Sequence, residues 1–396
     1  MKILWISSIA WKNNGEYPYA VNGAGAVSGS LFQQSMIEGL EKLGHSVDII
    51  SDYPYAPGCN VHSQISWSHN DHSKDVAAKT IDIPYLSLLH KDKSLKCIVS
   101  DKVKNNKYDF AVAYLIHHPY MSALAYAKHL DSRIQTVLIC PDLPDMMDMS
   151  LPQKKLKSFM KKIDKKRINK LYKKVDGFVL FAEPMLEKID IGDSRYTVIE
   201  GIASVDDLDR SPVSKERFIL HAGTLHRNIG IENIIDSLDY ISDKSIKLKI
   251  FGTGELEEYI KEKAEKDPRI IYGGFIDRRS LFEEQKKAIA LVNARNPKDA
   301  YTRYSFPSKT FEYLYSGTPF VTTDLEGIPT EYKEHLCIIH NNDPQEIAKK
   351  IEEVYSQNNE TILKRGYNAQ NFILRKTAIQ QAKKMVHLLD VLQVTK

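Results

Sequence analysis

The chain of 396 residues contains four cysteines, Cys59, Cys97, Cys140 and Cys337, and no two stand at C-x-x-C spacing. That scatter speaks against a zinc site and a disulfide framework, and it fits a reducing cytoplasm. No run of about 18 apolar residues occurs, so no transmembrane helix is expected. The apolar run Met1–Ile6 is short and ends in Ser7-Ser8. It lacks the apolar core and small-residue cleavage site of a secretion signal and reads as a first buried strand. The dinucleotide fingerprint G-x-G-x-x-G does not follow that strand directly, because more than a dozen residues intervene before the first glycine-rich loop. Net charge is small, +4 from 55 Lys and Arg against 51 Asp and Glu. Hydrophobic content of 42% and charged content of 27% describe a soluble globular protein long enough for two domains.

What is present is a strong α/β rhythm. Short, nearly continuous apolar runs predict strands over Lys2–Ile6, Val47–Ser51, Phe110–Ile116, Ile134–Cys140, Gly177–Phe181 and Tyr196–Ile199. Helix-length stretches such as Ser30–Leu43 and Tyr120–His129 separate them, as in an open parallel sheet covered on both faces. The polar segment Gly201–Arg217, with Asp206-Asp207-Leu208-Asp209 and Ser211-Pro212, reads as an interdomain linker. The rhythm then restarts. Strands are predicted over Phe218–His221, Lys247–Phe251, Ile270–Tyr272, Ala288–Val292, Phe320–Thr323 and Cys337–His340. Helices are predicted over Ile229–Leu238, Glu255–Lys266, Lys309–Tyr315 and Asp343–Ser356. The fold class is therefore α/β, two Rossmann-like doubly wound domains facing across a cleft, with ligands expected at the strand C-terminal ends. The final helical stretch, Thr377–Leu392, is a candidate to return to the first domain.

The most informative stretch is Tyr304–Pro319, YSFPSKTFEYLYSGTP. Ser308 and Lys309 open a helix whose free N–H groups and partial positive charge suit a phosphate, and Lys309 adds a full charge. Glu312 lies on the same face, where its carboxylate can accept from a pair of sugar hydroxyls. Arg295 and Arg303 lie on the approach to Ser308, and each reads either as a phosphate ligand or as half of a surface ion pair. The loop Gly223-Thr224-Leu225-His226-Arg227 follows the first strand of the second half, and Arg227 offers a planar fork of donors to a phosphate. Gly252 and Gly254 follow the next strand; they either lie under a ligand or form the turn. In the first half, Gly23, Gly25 and Ser28 form a glycine-rich loop that reads either as a ligand site or as a flexible connection. His117 and His118 end a buried strand and can hydrogen-bond a sugar hydroxyl or polarise a reacting group. Asp142 ends the following strand and either orients an acceptor hydroxyl or caps the next element.

Charge is unevenly spread. Lys154–Lys174 holds eleven basic residues against one acid, Asp164. Leu156, Phe159, Met160, Ile163, Leu171 and Val175 recur at helical spacing, which gives a basic amphipathic helix suited to an anionic membrane surface or to packing on its own domain. Its aromatics form no stacking platform, so nucleic acid is not expected.

These parts together resemble the group 1 (family four) glycosyltransferases of GT-B architecture. The resemblance covers essentially the whole chain. It rests on Gly23-Ala24-Gly25-Ala26 and Gly44-His45-Ser46-Val47, then on Ala222-Gly223-Thr224 and Phe251-Gly252-Thr253-Gly254. The most specific part is Phe306-Pro307-Ser308-Lys309 with Glu312-Tyr313 and Ser316-Gly317-Thr318-Pro319. It is similar to a branch common in bacterial capsule, exopolysaccharide and O-antigen assembly. The resemblance implies an acceptor-binding domain over 1–205, a domain for a UDP- or GDP-linked sugar over 206–375, and a helix over 376–396 packing on the first domain. It implies retention at the anomeric carbon, no metal or other cofactor, and His117 as the cleft histidine. Glu312 matches the second glutamate of the family's E-x7-E motif, while Tyr304 stands where the first would fall. Ile229 stands where a lysine often precedes glycine, with Arg227 and Lys309 as substitutes.

The function expected is transfer of a sugar to a lipid-linked glycan at the cytoplasmic membrane surface, in cell-surface polysaccharide synthesis. A nucleotide-sugar epimerase of the same fold is one alternative. A non-catalytic partner subunit, motivated by the missing first glutamate, is the other. Oligomeric state is not legible.

Overall fold

The computed structural model describes residues 1–11, 27–52, 61–81, 87–144, 155–205 and 207–394, with the side chains of 27–28, 87–88 and 155–162 left aside. The chain divides into two compact units, Met1–Ile202 with Ala378–Lys396, and Ala203–Thr377.

Unit 1 contains strands β1 (Lys2–Ser8), β2 (Ser46–Asp52), β3 (Val61–His62), β4 (Ile65–Trp67), β5 (Asp75–Ala77), β6 (Thr80–Ile81), β7 (Phe110–Tyr114), β8 (Gln135–Cys140), β9 (Gly177–Leu180) and β10 (Arg195–Val198). Its helices are α1 (Val27–Lys42), α2 (Ser87–Asn105), α3 (His118–Leu130), α4 (Lys155–Tyr172) and, from the end of the chain, α13 (Ala378–Val394). The main sheet runs β10-β9-β8-β7-β1-β2-β5-β4, and β3 pairs with β6 apart from it. All neighbours in the main sheet are parallel except β4 and β5. The central strands β7 and β8 are buried along their whole length, which is why they read as nearly continuous apolar runs. β3 to β6 escaped the sequence reading because they are two or three residues long and carry no continuous apolar run. On one face Ile3, Trp5, Met36, Leu40 and Val112 pack with Ala382, Met385, Leu388 and Leu389 of α13. A Cβ on Gly39 of α1 would lie 2.7 Å from the Ala378 carbonyl, so the two helices touch backbone to backbone there.

Unit 2 contains β11 (Phe218–Ala222), β12 (Lys247–Phe251), β13 (Ile270–Gly274), β14 (Ala290–Asn293), β15 (Phe320–Thr323) and β16 (Cys337–Ile339). Its helices are α5 (Ile231–Ser237), α6 (Glu257–Lys266), α7 (Arg278–Lys287), α8 (Ala300–Arg303), α9 (Lys309–Tyr315), α10 (Thr330–Lys333), α11 (Pro344–Tyr355) and α12 (Asn359–Ile373). The sheet order is β13-β12-β11-β14-β15-β16, parallel throughout. Alternation along β11 sends Ile219 into a core with Ile234, Ile260 and Ile351. Phe218, Leu220 and Ala222 enter the opposite core with Phe282, Phe311 and Phe372.

In each unit the chain adds strands to one side of the first strand and then crosses to the other. The reversal falls between β1 and β7 in unit 1 and between β11 and β14 in unit 2. The loops at the C-terminal ends of such neighbouring strands diverge, and that is where open α/β sheets take ligands.

Candidate functional site

At the switch point of unit 2, α9 is tied to the sheet by one side chain. The Tyr313 hydroxyl accepts from the Ala222 N–H at 2.8 Å and lies 3.1 Å from the Ala222 carbonyl, to which it donates. Gly317, at φ 72°, ends the helix in the left-handed region and passes so close to Gly366 that the two backbones touch. The first turn of α9 is thereby fixed beside the ends of β11 and β14.

Glu312 is at the centre of this turn. Its Oε2 lies 2.8 Å from Lys309 Nζ, and its Oε1 lies 3.1 Å from Arg278 Nε. Burial opposes the charged carboxylate, but the two cations outweigh it and hold the group below the usual range. Lys309 is thus paired with Glu312. Ser308 is exposed and makes no capping bond with its side chain.

Arg295 follows β14. Its Nε is buried with no hydrogen-bond partner, and burial lowers its pKa, with Tyr301 acting the other way. No described carboxylate pairs with it. His221 of β11 spans the switch point, with Nδ1 2.9 Å from the Val292 carbonyl. A carbonyl only accepts, so Nδ1 carries the proton. Burial lowers the pKa to about 4. At neutral pH Nε2 is therefore a bare acceptor, and it too is buried without a partner. Asn293 Oδ1 and Thr310 Oγ1 share that condition. Buried polar atoms are normally satisfied, so this concentration of orphans at one switch point marks a place for polar guests.

The other donor-side candidates divide. Arg227 is exposed and pairs with Glu232 at 3.1 Å, while its N–H donates to Glu255. Arg303 pairs with Glu326 at 3.2 Å. Tyr304 is buried at the end of α8. Thr224 is exposed, and a Cβ on Gly223 would meet only open space. Gly252 is a packing glycine: at φ 132°, a Cβ there would lie 1.8 Å from the Gly223 carbonyl. A Cβ on Gly254 would lie 2.5 Å from the Leu225 carbonyl oxygen, so it too packs against backbone.

In unit 1, His117 caps the start of α3 by position, and its carbonyl accepts from the N–H groups of Tyr120 and Met121. Burial, helped by Lys91, lowers its pKa to about 4, so the ring is neutral. Leu115, two residues earlier, has φ 86°, the one positive φ outside glycine among the described residues. His118 opens α3. Asp142 follows β8, the strand beside β7, and burial raises its pKa. His117, His118 and Asp142 thus lie at the same edge of one sheet. Gly23 and Gly25 fall outside the described residues, and of Ser28 only its place in α1 is described.

Sequence reasoning missed Arg278, His221, Asp52 and Lys91. Asp52 ends β2 and takes bonds from Lys91 at 2.5 Å and Tyr120 at 2.7 Å, with Oδ1 left over. A polar residue near the C-terminal end of a buried strand was the available signal for Asp52 and His221. For Arg278 there was none, since it comes from a helix 34 residues away in sequence from Glu312. Among the described residues no group of three or more His, Cys, Asp or Glu is disposed to hold a metal ion.

Residues 216–357 match the family described as glycosyl transferases group 1. No curated protein sequence matches the chain significantly. Solved structures are similar over nearly the whole length. Sucrose-phosphate synthase from Thermosynechococcus elongatus has a TM-score of 0.68 at 14% identity, with 100% of both chains covered. The lipopolysaccharide outer core galactosyltransferase WaaB gives 0.65 at 13%, covering 99% of each. S. aureus TarM, in complex with fondaparinux, alpha-GlcNAc-glycerol and UDP, gives 0.62 at 12%, covering 98% of this chain and 100% of its own. Two doubly wound α/β units in one chain, matched end to end by these structures, make the fold GT-B.

Proposed function

We propose that the protein is a glycosyltransferase that uses a nucleoside-diphosphate sugar, UDP- or GDP-linked, and transfers the sugar to a glycan acceptor. The observation that carries this reading is the Glu312 carboxylate between Lys309 and Arg278, with Arg295, whose buried Nε has no partner among the described residues, at the same switch point. A nucleoside diphosphate offers both matching features, a vicinal diol for a carboxylate and a pyrophosphate for cations. The match of residues 216–357 to a glycosyltransferase family and the UDP held by TarM agree with it.

In the proposed reaction the bond between the anomeric carbon and the diphosphate oxygen breaks, and the acceptor hydroxyl oxygen bonds that carbon on the same face. The hydroxyl proton passes to the departing diphosphate, so configuration is retained and no enzymic nucleophile is needed. Arg295 and Lys309 would stabilise the charge gathering on the leaving group without a metal ion. Neutral His117, with His118 and Asp142, is assigned to the acceptor side on unit 1, together with the Gly23, Gly25 and Ser28 loop. The donor side takes Gly223, Thr224, Arg227, Gly252, Gly254, Arg303, Tyr304 and Ser308 as its surround. The acceptor we propose is lipid-linked, in cell-surface polysaccharide synthesis on the cytoplasmic face of the membrane, with α4 attaching the protein there. No helix among the described residues is long and apolar enough to cross a membrane, and a peripheral attachment needs none.

The test is a thermal-shift screen with UDP, GDP, ADP and their sugars, since a ligand at 100 times its Kd should stabilise the fold by about 2.7 kcal/mol. One nucleotide should raise the melting temperature, and Glu312→Ala, Lys309→Ala and Arg295→Ala should each abolish the shift. An undiminished shift in all three variants would refute the donor-site assignment.

A further inference from the structure

We propose that Arg278 is the positioning residue of a diol site. It anchors the Glu312 carboxylate to Ser204 and Asp207 so that the free lone pairs of Glu312 present to vicinal hydroxyls. The inference rests on the donor-site reading above and adds a residue and a selectivity to it.

An ionised carboxylate has two oxygens and about four acceptor positions. Lys309 occupies one on Oε2 and Arg278 Nε one on Oε1, which leaves one on each oxygen. Two adjacent acceptors on one rigid group match two adjacent hydroxyls, provided the carboxylate plane is fixed. Lys309 cannot fix it alone, because an ammonium on a flexible four-carbon stem acts as a point charge. Arg278 can. Its guanidinium is planar, and three of its nitrogens are engaged: Nε with Glu312, Nη1 with Asp207 Oδ1 at 2.9 Å, and Nη2 with the Ser204 carbonyl. Two contacts on the far side define the plane, so the direction of the Nε–H is set as well.

The backbone of Arg278 is pinned in turn. It opens α7, and Asp277 caps that helix by accepting from the N–H groups of Arg279 and Ser280 at 3.1 and 3.0 Å. Arg279 Nε stands 3.6 Å from the other oxygen of Asp207, which adds a second cation to that anchor. An arginine needed only to neutralise Glu312 would not require this support, because Lys309 already supplies a charge.

A residue that orients a diol acceptor controls the preference for ribose over 2′-deoxyribose and leaves the grip on the diphosphate alone. A residue that merely holds the fold weakens both ligands equally. The experiment is therefore calorimetric titration of the full chain with whichever of UDP, GDP and ADP binds, and with its 2′-deoxy analogue. Wild type, Arg278→Gln and Arg278→Lys are compared, with circular dichroism confirming that each is folded. A hydrogen bond to a charged group predicts a ribose preference of about tenfold or more in wild type. Both variants should bring that ratio towards one, with affinity for the deoxy nucleotide nearly unchanged. An unaltered ratio in Arg278→Gln, or equal weakening of both ligands, would overturn the inference while leaving the donor site standing. A wild type that binds none of the three diphosphates would overturn the donor-site reading and this inference together.

Discussion

Three histidines, His221 buried and His69 and His117 half-buried, give the protein opposing responses to pH. His69 lies between Asp75 at 2.7 Å and Glu41 at 2.9 Å, under the rings of Trp11 and Trp67. Burial alone would lower its pKa, but the two carboxylates outweigh it and raise it to about 9. Its folded pKa is above the ordinary 6.5, so its stabilisation is complete below pH 6.5 and is lost as pH rises through 9. His117 and His221 are depressed to about 4, so theirs is complete above pH 6.5 and is lost as pH falls towards 4. Each effect is on the order of 1 to 3 kcal/mol. Denaturant unfolding across pH should show unit 1 losing stability on the alkaline side, and His69→Gln should flatten that limb. His221→Asn should flatten the acid limb of unit 2. Unchanged limbs would contradict these assignments. None of this was legible beforehand, since a histidine's charge depends on neighbours that only the fold brings. Asp75 stands close in sequence, but Glu41 comes from α1. Glu312 and Lys309 were legible as a pair because helical spacing places residues three apart on one face, and here they bond directly.

At the scale of elements, α4 and α9 show what a local pattern does and does not determine. In the second half of α4, Ile168 and Tyr172 are buried, with Val175 just beyond, at spacings of four and three, and the Tyr172 ring meets Phe178 of β9. That stripe packs on unit 1. Lys166, Arg167, Lys170, Lys173 and Lys174 are exposed around it, as is Ile163 at 38%. A basic face at about 1 kcal/mol per residue near an anionic surface gives a usable attraction. Flotation with phosphatidylserine vesicles should show binding that falls at least tenfold in a Lys166, Lys170, Lys173, Lys174→Gln variant. Undiminished flotation would refute the proposed membrane attachment through α4. The sequence carried the periodicity of both helices but not what each touches. Nothing in the spacing of α9 shows Tyr313 bonding the Ala222 backbone, a contact between residues 91 apart.

For the whole molecule, the same topological device is used twice. A first strand, buried along most of its length, is flanked on one side by the strands that follow it and on the other by those added after the crossover. Continuous apolar strands made this α/β class readable, because strands covered on both faces cannot alternate. The short strands β3 to β6 were invisible because their pairing, rather than their composition, defines them. The candidate sites proposed at the two switch points were only half readable. Residues carried by one loop or one turn of helix could be named, whereas Arg278, His221 and Asp52 owe their places to elements distant in sequence. The central claim is that the switch point of unit 2 grips a nucleoside diphosphate, and a structure of the full chain with the bound nucleotide tests it most directly. The account predicts pyrophosphate oxygens within hydrogen-bond reach of Arg295 and Lys309, and both ribose hydroxyls on Glu312. A nucleotide seated away from these three side chains would contradict it.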